Sequence, residues 1–267
     1  MKTIKLQKVE HNVKTGTKCP YYEPNITEDC LLEYNGDIIG FYIMDVSKYS
    51  KKLPGYIGVA NAEFRSKNVP KSKMNRSDTM KLHKQGLSWA EASKFGVSQY
   101  STIIGSIPPR PHMRRNYRTS SSVHGVKTAR TFIKAMFASA NESEKIIQKL
   151  TPEIYKKQKD LMQNVNMAWK IGELFTSSIS NYNISAGFHR DTGNIKGCVN
   201  VIITKRHNSK GGCLNVPDFN ATFEQKDNSM LVYPAWMNTH GVTPIIPTAD
   251  GGYRNSLIFY SLKAFVD

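Results

Sequence analysis

His189 and Asp191 stand two residues apart in Phe188-His189-Arg190-Asp191-Thr192-Gly193. On a strand that spacing sends both side chains out of the same face of the sheet. An imidazole and a carboxylate so placed, joined by one more imidazole, occupy one face of a metal ion and leave the opposite positions open. A non-haem iron site that activates O2 requires that arrangement. His240, 51 residues farther on in Thr239-His240-Gly241-Val242-Thr243-Pro244, is the candidate third ligand, because the chain between contains enough turns to fold back. Arg254 and Ser256 follow in Tyr253-Arg254-Asn255-Ser256-Leu257, on one face of a segment rich in strand formers. A guanidinium fork with a hydroxyl beside it suits a carboxylate. Each piece alone has a plainer reading, a hydrogen-bonded surface pair for His-x-Asp above all.

Taken together, His-x-Asp, then Gly211-Gly212-Cys213-Leu214, then His-Gly-Val-x-Pro, then Arg-x-Ser occur in one order over residues 189–256. That order resembles the 2-oxoglutarate/Fe(II)-dependent dioxygenases. The resemblance implies His189, Asp191 and His240 as catalytic Fe(II) ligands, Arg254 with Ser256 holding the distal carboxylate of 2-oxoglutarate, and O2 as the other co-substrate. It also implies formation of succinate and removal of a hydrogen atom from the substrate.

A second stretch narrows the expectation. Pro108-Pro109-Arg110-Pro111-His112-Met113-Arg114-Arg115-Asn116-Tyr117-Arg118 is held extended or looped by its prolines, with four arginines and a tyrosine projecting. Arginine on a stiff loop beside an aromatic suits phosphate contact and base stacking, although a merely solvated loop has the same composition. Placed ahead of the barrel motifs, it resembles the Arg-rich stretch in hydroxylase domains of the TET/JBP branch, the thymine-oxidising base-J proteins and their phage relatives. This implies hydroxylation of the 5-methyl group of a pyrimidine, 5-methylcytosine or thymine, in DNA. The base would be flipped out of the duplex. Arg110, Arg114, Arg115, Tyr117 and Arg118 would touch the strand, and Asn194, three residues after Asp191, would face the base. A turn former in Thr192-Gly193-Asn194 is the plainer role of Asn194. The chain lacks the Cys-rich zinc-binding portion of animal TET enzymes, so their details do not carry over.

The elements that must position these residues read as an α+β chain with a double-stranded β-helix (jelly-roll, cupin-like) core, buttressing helices and a basic N-terminal extension. We divide one dioxygenase domain, residues 1–267, into a basic N-terminal portion with the Arg-rich loop (residues 1–126), helical support (residues 127–180) and barrel strands (residues 181–267). Apolar runs predict strands at 37–44, 199–204, 214–216, 230–233, 242–246 and 256–261. Residues 128–175 read as helical: Phe132, Ile133, Met136, Phe137 and Ala140 make one apolar face, Thr151-Pro152 restarts the helix, and Leu161, Val165, Ala168 and Trp169 continue it. Ser88 and Glu91 form a capping box, and Gly96 stops that helix. Residues 85–98 with 99–104 thus resemble a helix-turn-helix DNA reader, whereas a short amphipathic helix packed on the core needs no second helix.

Charge sharpens the partner expectation. The formal net charge is +16. Residues 64–130 hold 14 Lys/Arg against two acids, whereas 181–267 hold eight against six. An excess concentrated outside the catalytic motifs is what a polyanion-binding surface looks like. The four cysteines, Cys19, Cys30, Cys198 and Cys213, show no Cys-x-x-Cys spacing and read as free thiols of a reducing compartment, with a Cys19/Cys30 zinc or disulfide pair as the alternative. No apolar run has the length of a membrane span, and the N-terminus has no apolar core region of a secretory signal. DNA is the expected partner, with no membrane and no obligate protein partner. The expected location is intracellular, wherever that DNA is. The alternatives are another 2-oxoglutarate dioxygenase, an N-methyl nucleic-acid demethylase or a protein hydroxylase, and a non-enzymatic helix-turn-helix protein. His207, in a Lys/Arg loop, and His112 and His124, with no carboxylate at ligand spacing, are weaker metal candidates.

Overall fold

The computed structural model describes residues 1–73, 86 and 99–267. The chain opens with β1 (Lys2–Lys5), β2 (Cys30–Tyr34) and β3 (Asp37–Ile43), then α1 (Leu53–Arg65), β4 (Ser72–Lys73), β5 (Tyr100–Ile107) and β6 (Thr119–Ser120). Two helices follow, α2 (Arg130–Leu150) and α3 (Pro152–Leu161). The remainder is strands: β7 (Ser177–Tyr182), β8 (Ala186–His189), β9 (Asn200–His207), β10 (Ser209–Gly211), β11 (Leu214–Val216), β12 (Ala221–Phe223), β13 (Met230–Tyr233), β14 (His240–Val242), β15 (Ile245–Pro247) and β16 (Tyr253–Tyr260).

A major sheet runs β1-β2-β3-β13-β9-β16-β7-β5-β4, with β6 pairing β5. A minor sheet runs β12-β11-β14-β8. The central strands of the major sheet are apolar on both faces, because each face has a partner. On β9, Val201 and Ile203 pack under the helices while Ile202 faces the minor sheet. On β13, Met230 and Val232 take the helical side and Leu231 and Tyr233 the other; on β16, Leu257 and Phe259 divide from Ile258 in the same way. This is the jelly-roll core, one sheet facing another, with helices on the outside.

The helices are amphipathic buttresses. Phe132, Met136 and Ala140 are fully buried, Ile133 and Phe137 partly so, and Phe132 stacks on Phe64 of α1 with ring centroids 5.6 Å apart. Truncating such a buried phenylalanine to alanine costs about 3–5 kcal/mol. Helix does not continue to residue 175 as expected. After Leu161 the chain makes short turns, with the Asn166 side chain accepting the Ala168 N–H, and Val165 bridges Val266 instead of extending a helical face. Asn166 favours that local turn over a helix interior.

Two further points concern the N-terminal portion. The strand expected at 37–44 is β3, and it is joined in the major sheet by β2 and β5, which the sequence reading did not mark, so the N-terminal portion is woven into the core. The β2–β3 hairpin turns through Asn35 and Gly36, both at positive φ (54° and 87°), as a tight two-residue turn demands. The helix-turn-helix reading also fails at its second half. Residues 99–104 lead into and form β5, paired with β7 from Tyr100 to Gly105, because Ile103 and its β neighbours satisfy the sheet ladder; the first half, 88–98, lies outside the described residues. Among the described residues no helix is long and apolar enough to cross a membrane.

Candidate active site

β8 and β14 are neighbours in the minor sheet, and His189 and His240 are direct register partners with ring centroids 4.4 Å apart. Each ring turns Nδ1 toward the carbonyl two residues earlier, Gly187 O at 2.8 Å for His189 and Asn238 O at 3.1 Å for His240. A carbonyl only accepts, so both Nδ1 atoms carry the proton and both Nε2 atoms are free as ligands. Asp191 follows the end of β8, its N–H bonded to Ala235 O, and its Oδ1 lies 3.6 Å from His189 Nε2. One donor atom from each of the three lies within 4.8 Å of the others.

His240 is buried while His189 and Asp191 are partly open, so the cluster lies where the core meets solvent. Burial, partly offset by Asp191, holds His240 below the usual imidazole range, which keeps it neutral and able to bind a metal. Two imidazoles turning their Nε2 atoms inward and a carboxylate on one side fit Fe(II) and leave the other side for co-substrates.

A cavity of about 460 Å³ opens from this cluster between the two sheets. Alternation along β16 points Arg254, Ser256, Ile258 and Tyr260 into it. Arg254 is 3% exposed, its Nε has no partner, and the nearest acceptor to its Nη2 is Gln225 Oε1 at 3.5 Å. Burial and the adjacent Arg206 pull its guanidinium down to about 10, still charged at neutral pH. Among the described residues no carboxylate pairs with Arg254. A buried cation facing a cavity without a counter-ion is a binding site for an anion. A dicarboxylate joining Arg254 to the metal cluster fits this site.

Gly212 of the sequence motif makes room for that arginine, and Gly211 for the Pro244 carbonyl. A Cβ on Gly212 would meet Arg254 Cδ at 2.4 Å, and a Cβ on Gly211 would meet Pro244 O at 2.0 Å; both residues have positive φ. Asn194 lies against the cavity, 5% exposed, but its Nδ2 is already given to Asn200 Oδ1 at 2.8 Å.

The Arg-rich loop divides. Arg110 and Arg115 close a small hairpin through paired backbone bonds, with Arg114 at its tip in the left-handed region (φ 56°). Arg114 and Tyr117 are exposed. Arg115 is turned inward, donating to Pro108 O. Arg118 is tied to Asp267 and to Val266 O. The last two therefore shape the loop more than they offer charge. His207 and His112 are exposed and lie outside the donor cluster. His124 is structural: its Nε2 accepts the Gly105 N–H, and burial lowers its pKa. All four cysteines are free and buried, and burial holds Cys19 and Cys30 up at about 11.

Three features escaped the sequence reading. Tyr260 lines the cavity, and its place six residues after Arg254 on the same strand face was a signal for it. Asn200 begins β9 and donates Nδ2 to Asp191 Oδ2 at 3.0 Å; nothing local marked it. An N-terminal strap pairs with the strand that carries His189: Gly16 N–H bonds Phe188 O and Phe188 N–H bonds Thr17 O. Gly187 and Gly241 are small because the strap crosses there, Thr17 O and Cys19 lying within 3.0 Å of where their Cβ atoms would be.

Comparison with known proteins agrees with this geometry. No curated protein matches the chain. Among solved structures, NgTET1 in complex with 5mC DNA has a TM-score of 0.53 at 12% identity, covering 89% of this chain and 78% of that one. An oxidoreductase of the 2OG-Fe(II) oxygenase family from Burkholderia pseudomallei has a TM-score of 0.48 at 12% identity, covering 83% and 84%. OsALKBH1 has a TM-score of 0.40 at 14% identity, covering 83% and 96%. At these identities the first of them speaks for the fold. The family model for the oxygenase domain of the 2OGFeDO superfamily in its Tet_JBP form matches residues 108–263, more than half of the chain, including the Arg-rich loop, His189, Asp191, His240 and Arg254. This chain therefore belongs to the TET/JBP family of 2-oxoglutarate- and Fe(II)-dependent dioxygenases.

Proposed function

We propose that this dioxygenase hydroxylates the 5-methyl group of a pyrimidine base, 5-methylcytosine or thymine, in DNA. The observation that carries the reading is the cavity itself. One mouth serves the metal-ligand cluster and the unpaired Arg254, and around it stand apolar walls (Ile179, Ile258, Leu262), the Tyr260 ring and the Asn194 amide. A flat heterocycle with polar edges and one methyl group matches that lining. Family membership and the likeness to a TET protein solved with 5mC DNA support it.

In this reading His189, Asp191 and His240 hold Fe(II), and Arg254 with Ser256 takes the distal carboxylate of 2-oxoglutarate. When bound, iron, 2-oxoglutarate and O2 supply the oxidising power that an unactivated C–H bond requires. The chain's own residues do the positioning. Tyr260, whose phenol is pushed up to about 12 by burial and by Asp191, stays neutral and offers a ring face and a hydrogen-bond donor. Asn194 has amide capacity left for a base edge beside its bond to Asn200. Arg110, Arg114 and Tyr117 approach the strand, with Arg115 and Arg118 holding their loop. The protein acts inside the cell, where DNA is, as a single domain.

Parallel incubations with methylated and unmethylated DNA of one sequence, with Fe(II), ascorbate and 2-oxoglutarate in air, test the substrate. Nucleoside mass spectrometry should find 5-hydroxymethylcytosine in the first alone, or 5-hydroxymethyluracil in both. Neither nucleoside from this DNA, with an N-methylated base or a peptide oxidised instead in a further incubation that supplies it, would move the protein to another class of dioxygenase.

A further inference from the structure

We propose that Asn200 is a positioning residue that makes Asp191 a one-oxygen metal ligand. The carboxylate of Asp191 has two oxygens, and a metal facing both could take either or both. Asn200 Nδ2 donates to Oδ2 at 3.0 Å, while Oδ1 is the oxygen near His189 Nε2 at 3.6 Å. The amide can have only one orientation. An ionised carboxylate accepts and never donates, so the NH2 end of Asn200 faces Asp191 and its Oδ1 faces away. Asn194 Nδ2 then donates to that Oδ1 at 2.8 Å, and the Asn194 backbone N–H returns to Asp191 O at 3.0 Å. The three residues form a closed ring of hydrogen bonds, in which the Asp191 carboxylate sets the orientation of the Asn200 amide and that amide sets the orientation of Asn194.

The ring is anchored at both ends. Asn200 is 3% exposed and pairs with Tyr233 at the start of β9, in the middle of the major sheet. Asn194 bridges Leu262, and Ile195 N–H and Lys263 N–H bond Ser261 O and Gly193 O, stitching the turn after Asp191 to the end of the strand that carries Arg254. Asp191 itself lies two residues past the end of β8 and is partly open to solvent, and among the described side chains only Asn200 bonds its Oδ2. Partners of this kind fix ligand orientation, and their loss typically lowers metal affinity about 10- to 100-fold. The inference concerns the metal site alone and is independent of which substrate enters.

The test is Co(II) binding to metal-free protein without DNA or 2-oxoglutarate, followed by calorimetry and by the visible Co(II) spectrum, which reports coordination number. Asn200→Ala should weaken Co(II) about 10- to 100-fold and change the band shape, while the metal-free protein melts within a few degrees of the parent. Asn194→Ala, which leaves the Asn200 amide in place but frees its Oδ1, should cause a smaller loss, and the two should not add. Co(II) affinity and spectrum unchanged in Asn200→Ala would overturn the proposal. If that variant does not fold, Asn194→Ala decides alone: several-fold weaker Co(II) supports the ring, and parent affinity sinks it. Neither result bears on the DNA reading.

Discussion

Gly212 lies under the stem of Arg254, where a Cβ would come 2.4 Å from Cδ and 2.9 Å from Nε. The guanidinium is buried and cannot swing to solvent, and the backbone of Gly212 sits at φ +65°, which an L side chain resists. Gly212→Ala is therefore expected to displace Arg254 and raise the half-saturating 2-oxoglutarate concentration at least about tenfold, since one charged hydrogen bond carries roughly 1.5–3 kcal/mol. Succinate yield against 2-oxoglutarate measures it. An unchanged curve would show that the glycine is not the arginine's cradle.

Arg254→Lys separates charge from shape. An ammonium keeps the positive charge but not the planar fork. Co-substrate use should weaken roughly 10- to 100-fold, with DNA affinity unchanged, as titration of each ligand separately would reveal. Equal weakening of both would place Arg254 in the DNA surface.

The Arg-rich loop yields an uneven expectation. Arg114 is exposed, while Arg118 is bonded to Asp267 and Arg115 to Pro108. Arg114→Ala should reduce the slope of log DNA affinity against log salt by about one counterion, and Arg110→Ala together with it by about two. Arg118→Ala should instead lower thermal stability by loosening the C-terminal residues. A slope that moves equally for Arg114 and Arg118 would mean that both reach phosphate.

Glu144 predicts a pH dependence of stability. Burial raises its carboxyl to about 7, against bonds from the Leu174 and Glu173 N–H groups that lower it. The folded chain thus holds a proton that the unfolded chain releases near its ordinary 4.5, so stability is greatest below that range and falls as pH rises to about 7. Glu144→Gln keeps an oxygen for the two N–H groups and should stabilise the protein at pH 8 by roughly 1–3 kcal/mol, with no gain at pH 4. Melting curves at both pH values check the sign.

Local chemistry was readable in the sequence, and pairing across the chain was not. His189, Asp191, His240 and Arg254 stood out by residue type and by the order of their motifs, although Asp191 lies past the end of β8 and reaches His189 from the turn rather than by strand alternation. Asn200 did not, since its role exists only once β9 brings it beside a turn nine residues earlier. The strap around Gly16 and Thr17 was hidden for the same reason: backbone pairing to Phe188 leaves no mark on side-chain pattern. Residues 162–169 misled because helical spacing continued where asparagines favoured turns. The apparent second helix at 99–104 proved to be a strand because its place in the sheet is set by β7, far along the chain.

The most direct measurement is the ratio of succinate to hydroxymethylated nucleoside when the purified protein, loaded with Fe(II), acts on DNA containing 5-methylcytosine and thymine. Equal amounts of succinate and either 5-hydroxymethylcytosine or 5-hydroxymethyluracil are predicted, both lost in His189→Ala and Asp191→Ala proteins whose metal-free fold still melts normally. Succinate formed with neither nucleoside, at the same rate with and without DNA, would contradict the account.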